Sequence, residues 1–235
     1  MDITPDQIVY GQWGVVTLNA TLVWTWVVMA VLVVGSWVLT RGVRSDGEPG
    51  RGQRVLEAIV SLIAEQIRDV SGQPPRPFLA FVGTLFLFIF ASNLVSIVPG
   101  SHTPTGSLST TTALALAVFV AVPVLGIRHH GLRGYLRHYA QPSVLMLPLN
   151  IIGEVSRTVA LALRLFGNMM SGAVMVAMAI SMAPLFFPVL LQVFGLVIGT
   201  IQAYIFAVLA TVYVAAATRT LNETPGGTGD RQEAR

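Results

Sequence analysis

The stretch VLMLPLNIIGEVSRTVALALRLFGNMMSGAVMVAMAISM, residues 144–182, decides how this chain folds. Its only charges are Glu154, Arg157 and Arg164. As one α-helix it would run about 58 Å at 1.5 Å per residue. A second apolar run, residues 185–218, would measure about 51 Å on the same rule. Both exceed the ~30 Å thickness of membrane hydrocarbon, and tilt is the way such a mismatch is absorbed. Only the proline-bounded APLFFP, residues 183–188, separates the two runs. The pattern therefore predicts a long, steeply tilted helical hairpin at the C-terminal end.

Three shorter apolar runs precede it. Residues 15–39 carry Trp24, Trp26 and Trp37, residue types that anchor at membrane interfaces. Residues 78–98 carry Asn93 and Ser96 near their far end, and residues 108–127 contain Pro123. Each is long enough to cross a bilayer as a helix. Between the first two lies RVLEAIVSLIAEQIRDVSG, residues 54–72. Val55, Ile59, Leu62, Ile63 and Ile67 recur at helical spacing there, with charges mostly elsewhere around the wheel. This is an amphipathic helix lying on the membrane or against a partner, and QPPRP (73–77) ends it. The expectation is an all-α integral membrane protein of five membrane helices plus one interfacial helix. Residues 1–222 would form a single membrane domain, followed by a disordered cytoplasmic tail, 223–235. No internal repeat of the secondary-transporter kind is present.

Composition agrees. The chain is 54% hydrophobic and 11% charged, whereas soluble domains carry about 25% charged residues. There is no cysteine, so neither disulfides nor thiolate metal sites are available. All 14 basic residues are arginine, and without lysine no Gly-x-x-x-x-Gly-Lys phosphate loop can exist. The N-terminus has no basic segment ahead of the first apolar run, so that run is expected to stay in the mature protein. Arginines crowd residues 41–76, 128–137 and 219–235, and are missing from the N-terminal stub and the loops near Ser101 and Pro184. The positive-inside rule then places the N-terminus outside and the C-terminus in the cytoplasm. His129, His130 and His138 sit in a basic stretch, residues 128–143, without nearby carboxylates. That stretch reads as a solvated loop touching lipid headgroups, not a metal site. No metal or cofactor is expected.

One residue resists a purely structural explanation. Arg164 stands in the dry surroundings of Leu161, Leu163, Leu165 and Phe166. Arginine stays charged in proteins, and in lipid it must pair, snorkel or face water. Helical spacing puts Arg157, Leu161, Arg164, Asn168 and Ser171 or Gly172 on one face, with Gly167 and Gly172 keeping the surface low. Glu154 is better placed to pair with Arg157. The apolar part of the chain offers Arg164 no other acid, so either it snorkels or its counter-charge belongs to another polypeptide. On the last helix, TIQAYIF offers Thr200, Gln202 and Tyr204, and Gln202 could bond Arg164 or Asn168 across the hairpin.

RTVALALRLFGNMMSG and LVIGTIQAYIFAVLATVY, together with LPLNIIGEVSR and FVGTLFLFIFASNLVSIVPG, resemble subunit a of the bacterial F-type ATP synthase. The likeness covers residues 77–217, and the R-L-F-G-N core followed by I-Q-A-Y-I-F is specific in combination. It implies an ion-translocating stator subunit in the bacterial plasma membrane, without nucleotide binding or catalysis of its own. The implied partners are a ring of c subunits, b-type peripheral stalk subunits and the rest of the complex, with no nucleic acid. Arg164 matches the family's essential arginine, which faces the ring carboxylates and separates two half-channels for protons or sodium. Asn168, Gln202 and Asn93 match polar positions of the outer half-channel, and Glu154 would line the inner one. Arg157, Tyr204, Ser96 and Asn150 are secondary candidates. The chain departs from common members at Ala173 and Gly195, where relatives carry titratable residues, at Ser96, where some have aspartate, and at Asn150, an acidic position elsewhere. The resemblance thus implies an outer path of amides, hydroxyls and water, open to sodium as well as protons. The alternative reading is a self-contained secondary transporter or anion channel, for which repeats or broken helices would be the sign.

Overall fold

The computed structural model describes residues 9–13, 16–41, 51–98, 101, 103–139, 146–182 and 187–218. The amino-terminal stub before residue 9, the tip of the hairpin turn (183–186) and the tail lie outside the described residues. Six helices dominate: α1 (Ala20–Thr40), α2 (Arg51–Ser71), α3 (Arg76–Val95), α4 (Leu108–Tyr139), α5 (Met146–Met182) and α6 (Phe187–Thr218). Five of them, all but α2, are long and apolar enough to cross a membrane. The fold is that of an all-α multi-pass membrane protein.

Two boundaries differ from the sequence expectation. The first span begins at Ala20, not at 15, because the chain before it forms an antiparallel hairpin of β1 (Val9–Trp13) and β2 (Val16–Asn19). Val15, Val16 and Thr17 are β-branched and favour an extended backbone, and Asn19 is still extended where the helix starts. Secondly, the basic stretch expected as a loop is helical as far as Tyr139. Arg128 to Tyr139 contains no proline, and its Leu, Arg and Tyr residues are compatible with a helix. The interruption comes at Gly131, whose φ of 70° and ψ of 164° divide α4 into two helical segments. Glycine alone adopts that backbone without steric cost.

Helix α2 is amphipathic as expected, but its inward stripe is shifted. Ile67 is buried, and Ile59, Ile63 and Val70 are partly covered against α3 and α6. Val55 and Leu62 face outward, at 54% and 61% exposure. The helix ends where Gly72 takes a φ of 66° and returns its N–H to Arg68 O at 2.8 Å. Pro74 and Pro75 then turn the chain into α3, whose first turn accommodates Pro77.

The core is a bundle of α3, α4, α5 and α6, with α1 packed mainly on α3. Phe78, Val82, Leu85 and Ile89 line the inner face of α3. Opposite them α6 presents Ala203, Ala207, Ala210, Val214 and Ala217, with Phe206 as the one large side chain. Small residues on that stripe let neighbouring backbones approach, which is how helices gain contact in lipid, where the hydrophobic effect does not distinguish protein from acyl chain. Consequently α6 touches α2, α3, α4 and α5 at once. At 37 and 32 residues, α5 and α6 run about 55 and 48 Å, the overlong pair the sequence predicts.

Candidate functional site

Arg164 is the central residue of α5 and is exposed on the surface of the isolated chain. Its face runs through Arg157, Ala160, Gly167 and Ser171, all exposed, and on to Met175 and Met178. A Cβ added at Gly167 or Gly172 would meet nothing within 4 Å. The single face drawn from helical spacing is split: Leu161 turns into the bundle, whereas Asn168 lies half-buried at the edge. Among the described residues no ion pair or hydrogen bond reaches the Arg164 guanidinium. The flanking surface is apolar, with Leu163 on α5 and Val197 and Ile201 on α6 more than half exposed.

One turn beyond Arg164, the side chain of Asn168 crosses to α6. Its Nδ2 donates to Gln202 Oε1 at 2.6 Å. This is the cross-hairpin contact the sequence offered, with Asn168 rather than Arg164 as the partner. Gln202 is 97% buried, since only 3% of its surface is accessible. One turn earlier on α6, Gly199 O accepts a 2.6 Å bond from Asn93 Nδ2 of α3. Thr105, in the 3-10 turn Pro104–Gly106, approaches Asn93 Oδ1 at 3.4 Å. Ser96 O accepts from Gln192 Nε2 at 2.5 Å, while the Ser96 hydroxyl closes on Asn93 O. Asn93, Ser96, Asn168 and Gln202 thus belong to one polar zone between the end of α3 and the first half of α6.

Gly199 is essential to that zone. A Cβ there would stand 2.9 Å from the Asn93 amide and 3.2 Å from its Cβ. Gly199→Ala is expected to push Asn93 away and break its bond to the backbone. Overpacking of this kind costs about 1–3 kcal/mol, which a lowered unfolding temperature of the purified protein would reveal.

A second polar zone lies toward the opposite end of the bundle. Asn150, Glu154, Arg157 and Thr158 of α5 line a cavity of about 170 Å³ with Tyr213 of α6 and Val118 and Val122 of α4. The Arg157 guanidinium sits over the Tyr213 ring, 5.6 Å from its centroid, a cation–π contact. Along α5, Glu154 is about 15 Å from Arg164, and Asn168 is about 6 Å from it on the other side.

Tyr204 joins neither zone. Its hydroxyl donates to Gln66 Oε1 of α2 at 2.6 Å, and at the far end of the same interface Thr218 Oγ1 donates to Gln73 Oε1 at 3.2 Å. The pair fastens α2 to α6. Tyr204→Phe is accordingly expected to lower stability by about 0.5–1.5 kcal/mol, the net worth of one hydrogen bond. Thermal melts of the purified variant check this. Sequence reasoning missed Thr105, Gln192 and Gln66. Gln192 carried a signal, being an amide inside an apolar run, whereas Thr105 sat in a loop whose fold no periodicity reveals.

The sequence profile of the ATP synthase A chain family matches residues 22–215. The chain belongs to this ATP synthase A chain family. Curated relatives agree over nearly the whole length. ATP synthase subunit a 2 of Acaryochloris marina is 58% identical over 219 residues, covering 93% of this chain and 94% of the relative. ATP synthase subunit a 1 of Chlorobaculum parvum is 53% identical over 220 residues, 94% and 97% of the two chains. ATP synthase subunit a of Albidiferax ferrireducens is 51% identical over 219 residues, 93% and 95%. Membership in the A chain family makes this a membrane subunit of an ATP synthase complex, concerned with ATP synthesis and ion transport.

Proposed function

We propose that the chain is the ion-translocating stator subunit of an F-type ATP synthase, with Arg164 dividing two half-channels. One observation carries this reading: a permanent cation at the centre of α5, on an exposed apolar face, has no counter-ion among the described residues and is flanked on either side by a separate polar zone. An arginine in the membrane interior demands a negative partner, and a ring of c subunits, each bringing a buried carboxylate past the open face, supplies one repeatedly. The low surface at Ala160, Gly167 and Ser171 suits the close passage of helices.

The mechanism follows from charge. An ion enters through the Asn93–Asn168–Gln202 zone and loads a ring carboxylate. After rotation the carboxylate discharges into the zone of Asn150 and Glu154. Between the two, Arg164 favours the ionised carboxylate and repels any cation that would leak directly across. A charge that burial cannot neutralise suits this task, whereas a buried lysine loses its proton. The subunit needs neither nucleotide nor cofactor for these steps. Catalysis belongs to other subunits, and b-type stalk subunits hold this one against the ring. The arginine distribution orients the bacterial plasma-membrane protein with its N-terminus outside, its Asn150–Glu154 end inward and its tail, residues 223–235, in the cytoplasm. Residues 1–222 act as one membrane domain.

The decisive assay is ion flux through the reconstituted complex, driven by ATP, in sodium-free and sodium-containing buffer with and without a protonophore. Flux in either regime that stops when the c ring is blocked supports the reading. Flux through this chain alone, without the ring, would instead make it a self-contained channel.

A further inference from the structure

Two buried polar groups near the Asn93–Gly199 contact have no hydrogen-bond partner: Ser92 Oγ on α3 and Gln202 Nε2 on α6. Ser92 is 0% exposed and Gln202 3%. An orphaned buried donor or acceptor costs about 1–3 kcal/mol, so two on a pair of packed helices point to a missing ligand. Position supports a shared one. Ser92 adjoins Asn93, whose amide is bonded to Gly199 O, and Gln202 lies one turn from Gly199 on the same helix. Ser92 also differs from four other buried hydroxyls on the helices. Ser71, Thr111, Thr211 and Thr218 all fold back onto a carbonyl three or four residues earlier. Ser92 does not, and its hydroxyl is left for another partner.

The chemistry of the pair selects that partner. Asn168 donates to Gln202 Oε1, which fixes the Gln202 amide with its N–H groups toward whatever remains. An N–H group repels a cation, so the ligand must accept from Gln202 and also bond a hydroxyl. Water does both, and buried waters characteristically join otherwise unsatisfied groups of this kind. We infer that an internal water bridges Ser92 Oγ and Gln202 Nε2, tying the α3 polar groups to the Asn168–Gln202 pair and making Ser92 a positioning residue for Gln202. This inference rests on the outer half-channel reading proposed above.

The test is cryo-electron microscopy of the intact complex at water-resolving resolution, with coupled ATP synthesis measured for wild type, Ser92→Ala, Ser92→Thr and Arg164→Ala. Expected are density within hydrogen-bond distance of both atoms in wild type and its loss in Ser92→Ala. The alanine variant should lose about three- to tenfold in coupled rate, in the range of one hydrogen bond, and Ser92→Thr should restore it. No density, density that appears only with sodium, or a wild-type rate in Ser92→Ala would overturn the bridge. So would failure of Ser92→Thr to rescue an assembled complex. If Ser92→Ala is wild-type while Arg164→Ala is inactive, the bridge alone falls; if both are wild-type, the half-channel reading falls with it.

Discussion

Replacing Arg164 with alanine is expected to bring ATP-driven ion pumping and ion-driven ATP synthesis to background, with the complex still assembled. The guanidinium is exposed on the open face of α5 and makes no ion pair or hydrogen bond among the described residues, so its removal leaves the bundle core untouched. Stability of the isolated chain should therefore barely change. On the proposed reading, the loss in the assembled motor falls on the ring carboxylate, left ionised in a dry setting without its counter-charge. Breaking a buried pair from one side costs about 3–5 kcal/mol, on the order of 10²–10⁴-fold in rate. Arg164→Lys should recover little, because a lysine loses its charge where an arginine keeps it. Vesicle acidification or sodium uptake, normalised to assembled complex on native gels, measures the effect. Pumping at the wild-type rate by an assembled Arg164→Ala complex would remove the central charge from the mechanism.

The second large effect is expected at Gln202. Leucine fills nearly the same space, so Gln202→Leu should keep α5 and α6 packed. It strands the Asn168 amide, which now donates to Gln202 Oε1 at 2.6 Å. An unsatisfied polar group of that kind costs about 1–3 kcal/mol, and the polar path past Arg164 narrows by one amide. Coupled ATP synthesis should fall about tenfold, whereas Gln202→Glu, which can still accept from Asn168, should fall less. Wild-type coupling in Gln202→Leu would assign Gln202 to helix packing and not to ion passage.

Much of this arrangement was legible from residue order. The apolar runs gave the five spans because lipid imposes length and hydrophobicity directly, and the overlong α5 and α6 follow from the same rule. The Asn168–Gln202 contact was foreseeable, since both are amides near the middle of adjacent helices. Periodicity was silent where local preference and tertiary contact compete. The stretch 128–139 is polar enough to read as a loop, yet it is helical on both sides of Gly131. The β-hairpin ahead of α1 hides inside an apolar run whose β-branched residues suit strand and span alike. Helical spacing also could not reveal that packing places Arg157 over Tyr213, a contact between residues 56 positions apart in the chain. Ser92 was invisible because a small hydroxyl in an apolar run says nothing until the helix opposite is known, and Thr105 because it sits in a loop without periodicity.

The azimuth of α6 has a mechanical consequence. Gln192, Gly199, Gln202, Tyr204 and Thr218 are keyed to four separate parts of the chain: Asn93 and Ser96 at the end of α3, Asn168 on α5, Gln66 on α2 and Gln73 just after it. Turning the shaft by a single residue, about 100° of a 3.6-residue turn, would undo all five bonds together, each worth roughly 0.5–1.5 kcal/mol. A swivelling last helix that hands ions from one side to the other is therefore a costly device in this protein. On the proposed reading the moving part is the neighbour that rolls past, with α6 serving as the fixed bearing.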